Sequence, residues 1–159
     1  MLQTDAPLAI PLWINGHAYL TLAPAFQDVR NPLSREVLRR TPLCGAAEAQ
    51  KAVEAAHAAL PLWCAQPATA RAALLVAVGE ALAGYAGHFA RLIVEETGKE
   101  QLAAEAEVSK AVALLCGSLT AGAPAAAGVV GIVGSAAAPL LDPLRLAVPA
   151  LMAGAVVVI

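Results

Sequence analysis

The 159-residue chain is predicted to be α/β: two N-terminal hairpins, a run of helices, then one strand–helix–strand unit. Three observations predict this. Asn15-Gly16 stands between two short apolar-aromatic arms in Leu12 to Leu20, and Asn-Gly supplies the positive φ that a two-residue hairpin turn needs. Between residues 47 and 115, apolar residues recur at intervals of three and four, the period of a helix face. The stretch GVVGIVGSAAAPLLDPLRLAVPALMAGAVVVI, Gly128 to Ile159, then sets two apolar β-branched runs on either side of a helical segment. Two strands apolar throughout and joined by a crossover helix imply a parallel sheet covered on both faces.

In order along the chain, Phe26 to Leu43 reads as a second, looser hairpin, with Val29, Val37 and Leu38 flanking a turn at Asn31-Pro32. A helix is expected from Ala47 to Trp63, with a stripe of Ala52, Val53, Ala56, Ala59, Leu60 and Trp63. His57 falls off that stripe and reads as a surface residue. Thr69 is placed to cap the next helix, whose stripe is Leu74, Leu75, Val78 and Leu82. Phe89, Leu92 and Ile93 carry the pattern on to Gly98, a natural C-terminal stop. A fourth helix spans about Gln101 to Leu115. The Gly/Ala/Pro-rich residues 117–127 read as a linker between an N-terminal part, 1–116, and a C-terminal part, 128–159. In the latter, Val129 to Val133 is a strand, Pro139 suits the first turn of a helix, and Gly154 ends that helix before a strand at Val156 to Ile159. Pro143 and Pro149 are expected to kink the helix or confine it to short pieces.

Composition excludes several classes. Charged residues are only 14%, and the net charge is −2, so nothing attracts nucleic acid or an anionic membrane surface. Cys44, Cys64 and Cys116 match no zinc or CxxC spacing and read as reduced thiols of a cytoplasmic protein. No basic region precedes an apolar run at the N-terminus, so no secretory signal is expected. Residues 121–141 are uncharged, but their glycines and prolines suit a βαβ segment better than a membrane span.

Glu95, Glu96, Glu105 and Glu107 cluster without His or Cys at ligand spacing, so they read as a solvated helix face and not as a metal site. His17 and His88 have no visible partner. Gly128, Gly131 and Gly134 form neither GxGxxG nor a P-loop. Two readings of Val133, Gly134 and Ser135 stay open: a tight strand-to-helix turn, or a place where backbone approaches a cofactor and Ser135 hydrogen-bonds to it.

Six segments, NPLSREVLRRTPL, AVEAAHAALPLW, RAALLVAVGEAL, LIVEETGK, GVVGIV and PLRLAVPALMAG, resemble in the same order the N-terminal part of NAD(P)-dependent aldehyde dehydrogenases. The resemblance runs from about Leu12 to Ile159. It implies an incomplete Rossmann-type cofactor domain and a family reaction in which a cysteine nucleophile forms a thiohemiacetal, hydride passes to NAD or NADP, and water releases the acid. A cofactor held by this chain would sit weakly on Val133, Gly134 and Ser135.

Three departures shape the expected function. Family members read Thr-Pro-Trp-Asn-Phe-Pro where this chain reads GSAAAP, so Ala137 stands at the asparagine that steadies the oxyanion. Losing such a donor costs about 10²–10³ in turnover. The lysine on the cofactor ribose, the nucleophilic cysteine and the general-base glutamate fall beyond Ile159, and none of the three cysteines matches the nucleophile's place in the motif series. The residues before Gly128 are too few for the family's oligomerisation hairpin. The expected protein is therefore a truncated, catalytically silent member with no catalytic residue of its own. The alternative is a subunit or interaction module that docks, through its C-terminal strand, onto a second chain or an intact aldehyde dehydrogenase. A decayed gene product is the remaining reading.

Overall fold

The computed structural model describes residues 7–19, 25–117 and 128–159. Strands β1 (Leu12–Ile14) and β2 (His17–Tyr19) pair antiparallel, with Ile14 opposite His17. Asn15 and Gly16 both hold positive φ, 53° and 73°, the tight turn expected from Asn-Gly. Strands β3 (Phe26–Arg30) and β4 (Val37–Pro42) form the second hairpin. Its turn is fixed by Asn31, whose Oδ1 accepts the N–H groups of Leu33 and Ser34 at 2.8 and 3.0 Å.

Helix α1 (Ala46–Cys64) opens on Gly45, whose N–H donates to Glu48 Oε2 at 3.0 Å. It is only partly buried. It lies against the C-terminal strand pair, and Trp63 Nε1 donates to the Leu151 carbonyl at 3.1 Å.

Helix α2 (Ala68–Gly84) corrects two expectations. Thr69 lies inside the helix, and Pro67 takes the cap position without a side-chain bond. The buried stripe is Arg71, Leu75, Gly79 and Leu82, while Leu74 and Val78 are more than half exposed. The cause is the approach of α4 (Gln101–Cys116): a Cβ placed on Gly79 would sit 2.9 Å from Leu115 Cβ and 2.5 Å from Cys116 Sγ. The hydrogen at Gly79 lets the two axes close, so α2 turns that side inward. Gly79→Ala is expected to lower stability by about 1–3 kcal/mol through overpacking, even though alanine favours helix. A urea titration reads this directly.

Helix α3 (Ala86–Thr97) buries Ala90 and Ile93 and stops at Gly98, which is left-handed at φ 72° as expected. Helix α4 presents Ala104, Glu107, Val108, Ala111 and Leu115 to the interior. Leu75, Leu82, Ala111, Leu115, Leu141, Val148 and Met152 make the main core cluster. Gly117 caps α4, and the rest of the expected 117–127 linker lies outside the described residues.

Strands β5 (Val129–Gly131) and β6 (Val156–Val158) pair in parallel, Val129 opposite Val156, with α5 (Leu141–Met152) as the crossover. This is the predicted βαβ, with a shorter first strand. Ile132 still donates to the Val158 carbonyl, but Val133 is 93% exposed. Pro139 lies just before α5. Pro143 falls in the first turn, where no intrahelical N–H is required, and Pro149 is exposed, where water can serve the carbonyl it leaves free. Neither divides the helix. Among the described residues no single helix is long and apolar enough to cross a membrane; α2 and α3 together would be, but they bend by 73° at their junction.

Candidate functional site

The β5–α5 connection carries the residues singled out as cofactor contacts. Val133, Gly134 and Ser135 leave the end of β5 together, all exposed. A Cβ at Gly134 would meet only Pro143 Cδ, at 4.0 Å, so the space above the turn is open. Ser135 is committed to the helix start: its hydroxyl donates to Asp142 Oδ2 at 2.6 Å and accepts the Ala138 N–H at 3.4 Å. Asp142 also faces Arg145 at 3.5 Å. Ala136 and Ala137 are exposed methyl groups and offer no donor.

A helix N-terminus after a parallel strand is ordinarily a place for phosphate. Here it is taken. Glu107 reaches across from α4, and its Oε1 accepts the N–H groups of Leu140 and Leu141 at 3.0 and 3.2 Å. Its Oε2 accepts a hydrogen bond from Lys99, in the turn between α3 and α4. The side chain is 5% exposed. Burial alone would raise its pKa, but Lys99 and the two amides outweigh it and hold the carboxyl below its ordinary value of 4.5.

This corrects the expectation that the four glutamates form a solvated face. Glu95 and Glu96 do lie near the surface, paired with Arg39 of β4, and Glu105 accepts from Gln101 at 2.8 Å. Glu107 is instead the organiser of the turn. The signal was present: Ala104, Glu107, Val108, Ala111 and Leu115 share one face, so an acid stood on the apolar stripe.

A second missed residue is Arg71, 8% exposed on the stripe of α2. Its guanidinium donates to the Gln66 carbonyl and, at 2.9 Å, to the Met152 carbonyl. It thereby ties the loop after α1 to the C-terminal end of α5, where a cation is favoured.

The three cysteines are free and exposed. Cys44 Sγ lies 3.6 Å from the Pro42 carbonyl and Cys116 Sγ 3.9 Å from that of Val76. Cys64 lies beside Gly154, past the far end of α5 from the turn. Among the described residues no group of three His, Cys, Asp or Glu could hold a metal ion. His57 is exposed, and His88 Nδ1 lies 2.9 Å from Arg91.

The aldehyde dehydrogenase family model matches residues 22–159. Lactaldehyde dehydrogenase of Escherichia coli is 39% identical over 105 residues, which are 66% of this chain and 22% of that protein. The crystal structure of lactaldehyde dehydrogenase from Escherichia coli superposes with a TM-score of 0.88 at 28% identity, covering 96% of this chain and 36% of that one. The structure of an E. coli NADP dependent enzyme follows at TM-score 0.84 and 27% identity, over 94% of this chain and 35% of that one. The chain thus spans between about a fifth and about a third of the length of these relatives. The order of motifs, the parallel β5–β6 pair and the family match over 22–159 agree: this chain belongs to the aldehyde dehydrogenase family.

Proposed function

We propose that this chain supplies the opening part of the cofactor domain of an NAD(P)-dependent aldehyde dehydrogenase and oxidises no aldehyde by itself. The observation that supports this is the β5–α5 turn. It offers exposed backbone at Val133 and Gly134, but only methyl groups at Ala136 and Ala137, where the family resemblance calls for an oxyanion donor. None of the three thiols stands at that turn. When bound, NAD or NADP supplies the hydride acceptor. The part of it that fits here is uncharged, because the amides at the start of α5 are already taken by Glu107. Ser135, held by Asp142, keeps the turn closed beneath it. Three exposed free thiols suit a reducing compartment, so we place the chain in the cytoplasm.

The test is to incubate the chain with NAD or NADP and a panel of short aldehydes while following nicotinamide absorbance. No rise above an enzyme-free blank is expected; turnover at an ordinary enzymatic rate would overturn the reading.

A second reading, docking onto a partner chain that carries the catalytic domain, rests on the edge of β6. Val156 N–H and the Val158 carbonyl bond to the β5 side, so the backbone groups of Val157 point to the opposite edge, and among the described residues no strand takes them. Beside that edge is an apolar hollow of about 450 Å³ lined by Trp13, Ala52, Ala56, Trp63, Val157 and Ile159. Cross-linking from position 159 in a lysate of the source cells should then capture an aldehyde dehydrogenase chain.

A further inference from the structure

We propose that Glu107 is a positioning residue, an internal anion that occupies the N-terminus of α5, fixes the β5–α5 turn before any ligand arrives and closes that helix end to phosphate. The inference rests on the reading of this turn as the cofactor's place. It adds that a dinucleotide held here must put its phosphates elsewhere.

The geometry carries it in three steps. The N–H groups of the first turn of a helix have no intrahelical partner and attract an anion. At α5, two of these amides, Leu140 and Leu141, converge on one carboxylate oxygen, Glu107 Oε1. The other oxygen is held by Lys99, so both sides of the carboxylate are engaged and it has no freedom to swing away. A phosphate oxygen seeking the same amides would have to displace a buried, doubly held carboxylate.

The surroundings add to the barrier. Asp142 sits in the same first turn, bonded to Ser135 and facing Arg145, and contributes a second negative group. The groups bonded to Glu107 are Lys99 from the α3–α4 turn and the amides of α5, while Asp142 is engaged by Ser135 and Arg145. Glu107 also ties α4 to the turn across 33 residues of sequence. That contact sets where α5 begins, and hence where residues 133–138 stand above the sheet.

Two measurements on the unaltered chain decide the matter. In an isotope-labelled sample, the amide signals of Leu140 and Leu141 are followed by NMR as the solution is acidified. They should move together, with a single midpoint below 4.5. Inorganic pyrophosphate at millimolar concentration at neutral pH should leave both signals in place. Glu107→Gln, which keeps the shape and loses the charge, should abolish the acid transition at these two amides. Pyrophosphate shifting the Leu140 and Leu141 signals of the unaltered chain, or those signals ignoring acid, would overturn the proposal. Absence of any NAD or NADP binding would instead count against the cofactor reading and leave this one standing, because both probes are inorganic.

Discussion

Glu107→Ala is expected to cost about 3–5 kcal/mol of folding stability, the scale for removing one member of a buried ion pair. Truncation strips three partners at once. Leu140 and Leu141 lose the acceptor of their N–H groups, each worth about 1–3 kcal/mol if left unsatisfied, and Lys99 loses its counter-ion. Because Lys99 is 26% exposed, its ammonium can turn to water, which keeps the total near the sum of the two amides. A urea titration at neutral pH measures the loss; a change under about 1 kcal/mol would mean that water replaces the carboxylate.

The same carboxylate gives the fold an acid limb. Its folded-state pKa lies below the ordinary 4.5, so its contribution is complete above 4.5 and is lost as pH falls through the depressed value. Stability of the unaltered chain should therefore drop as pH is lowered below 4.5. In Glu107→Gln, which starts less stable, that part of the slope should be missing.

Leu115→Ala is expected to be the other large effect, about 3–5 kcal/mol, in the upper part of the range for buried leucine truncation. Leu115 is 1% exposed and stands between α2 and α5, in the cluster with Leu82, Leu141 and Met152. The cost stays high because the site cannot close. The Cβ at position 115, which alanine keeps, already abuts Gly79, so the α2–α4 axes have no slack to take up the space left by the missing isobutyl end. The urea midpoint should fall with the slope unchanged. A loss of under about 2 kcal/mol would show that α5 slides into the gap.

The turns were legible because they are local. Asn15-Gly16 needs only its own two residues to specify positive φ, and Gly98 closes α3 in the left-handed region for the same reason. Arg35, at φ 66°, was not foreseen, since its conformation is imposed by Asn31 collecting the neighbouring amides and no glycine marks it. The parallel β5–β6 pair followed from two apolar runs with a helix between them.

What escaped depended on which side of a helix meets which neighbour. Leu74 and Val78 looked like core by hydropathy, yet Gly79 and Arg71 are inside, because the approach of α4 decides the rotation of α2. Period alone cannot weigh a hydrogen atom against an isopropyl group when the facing helix is unknown. Glu107 was grouped with its acidic neighbours by composition, although its place on the α4 stripe already set it apart. In the turn itself, the exposure of Val133, Gly134 and Ala137 agrees with a stretch rich in small residues, but the capture of Ser135 by Asp142 needs the helix start in three dimensions.

Arg71 has a consequence for how the molecule is made. The carbonyl of Met152 that it grips is 81 positions further along the chain. At roughly 5–20 residues per second, a ribosome needs roughly 4–16 seconds to cover that distance. Throughout this interval the guanidinium has the Gln66 carbonyl but not that of Met152, so α2 reaches its final seating only after α5 has left the exit tunnel.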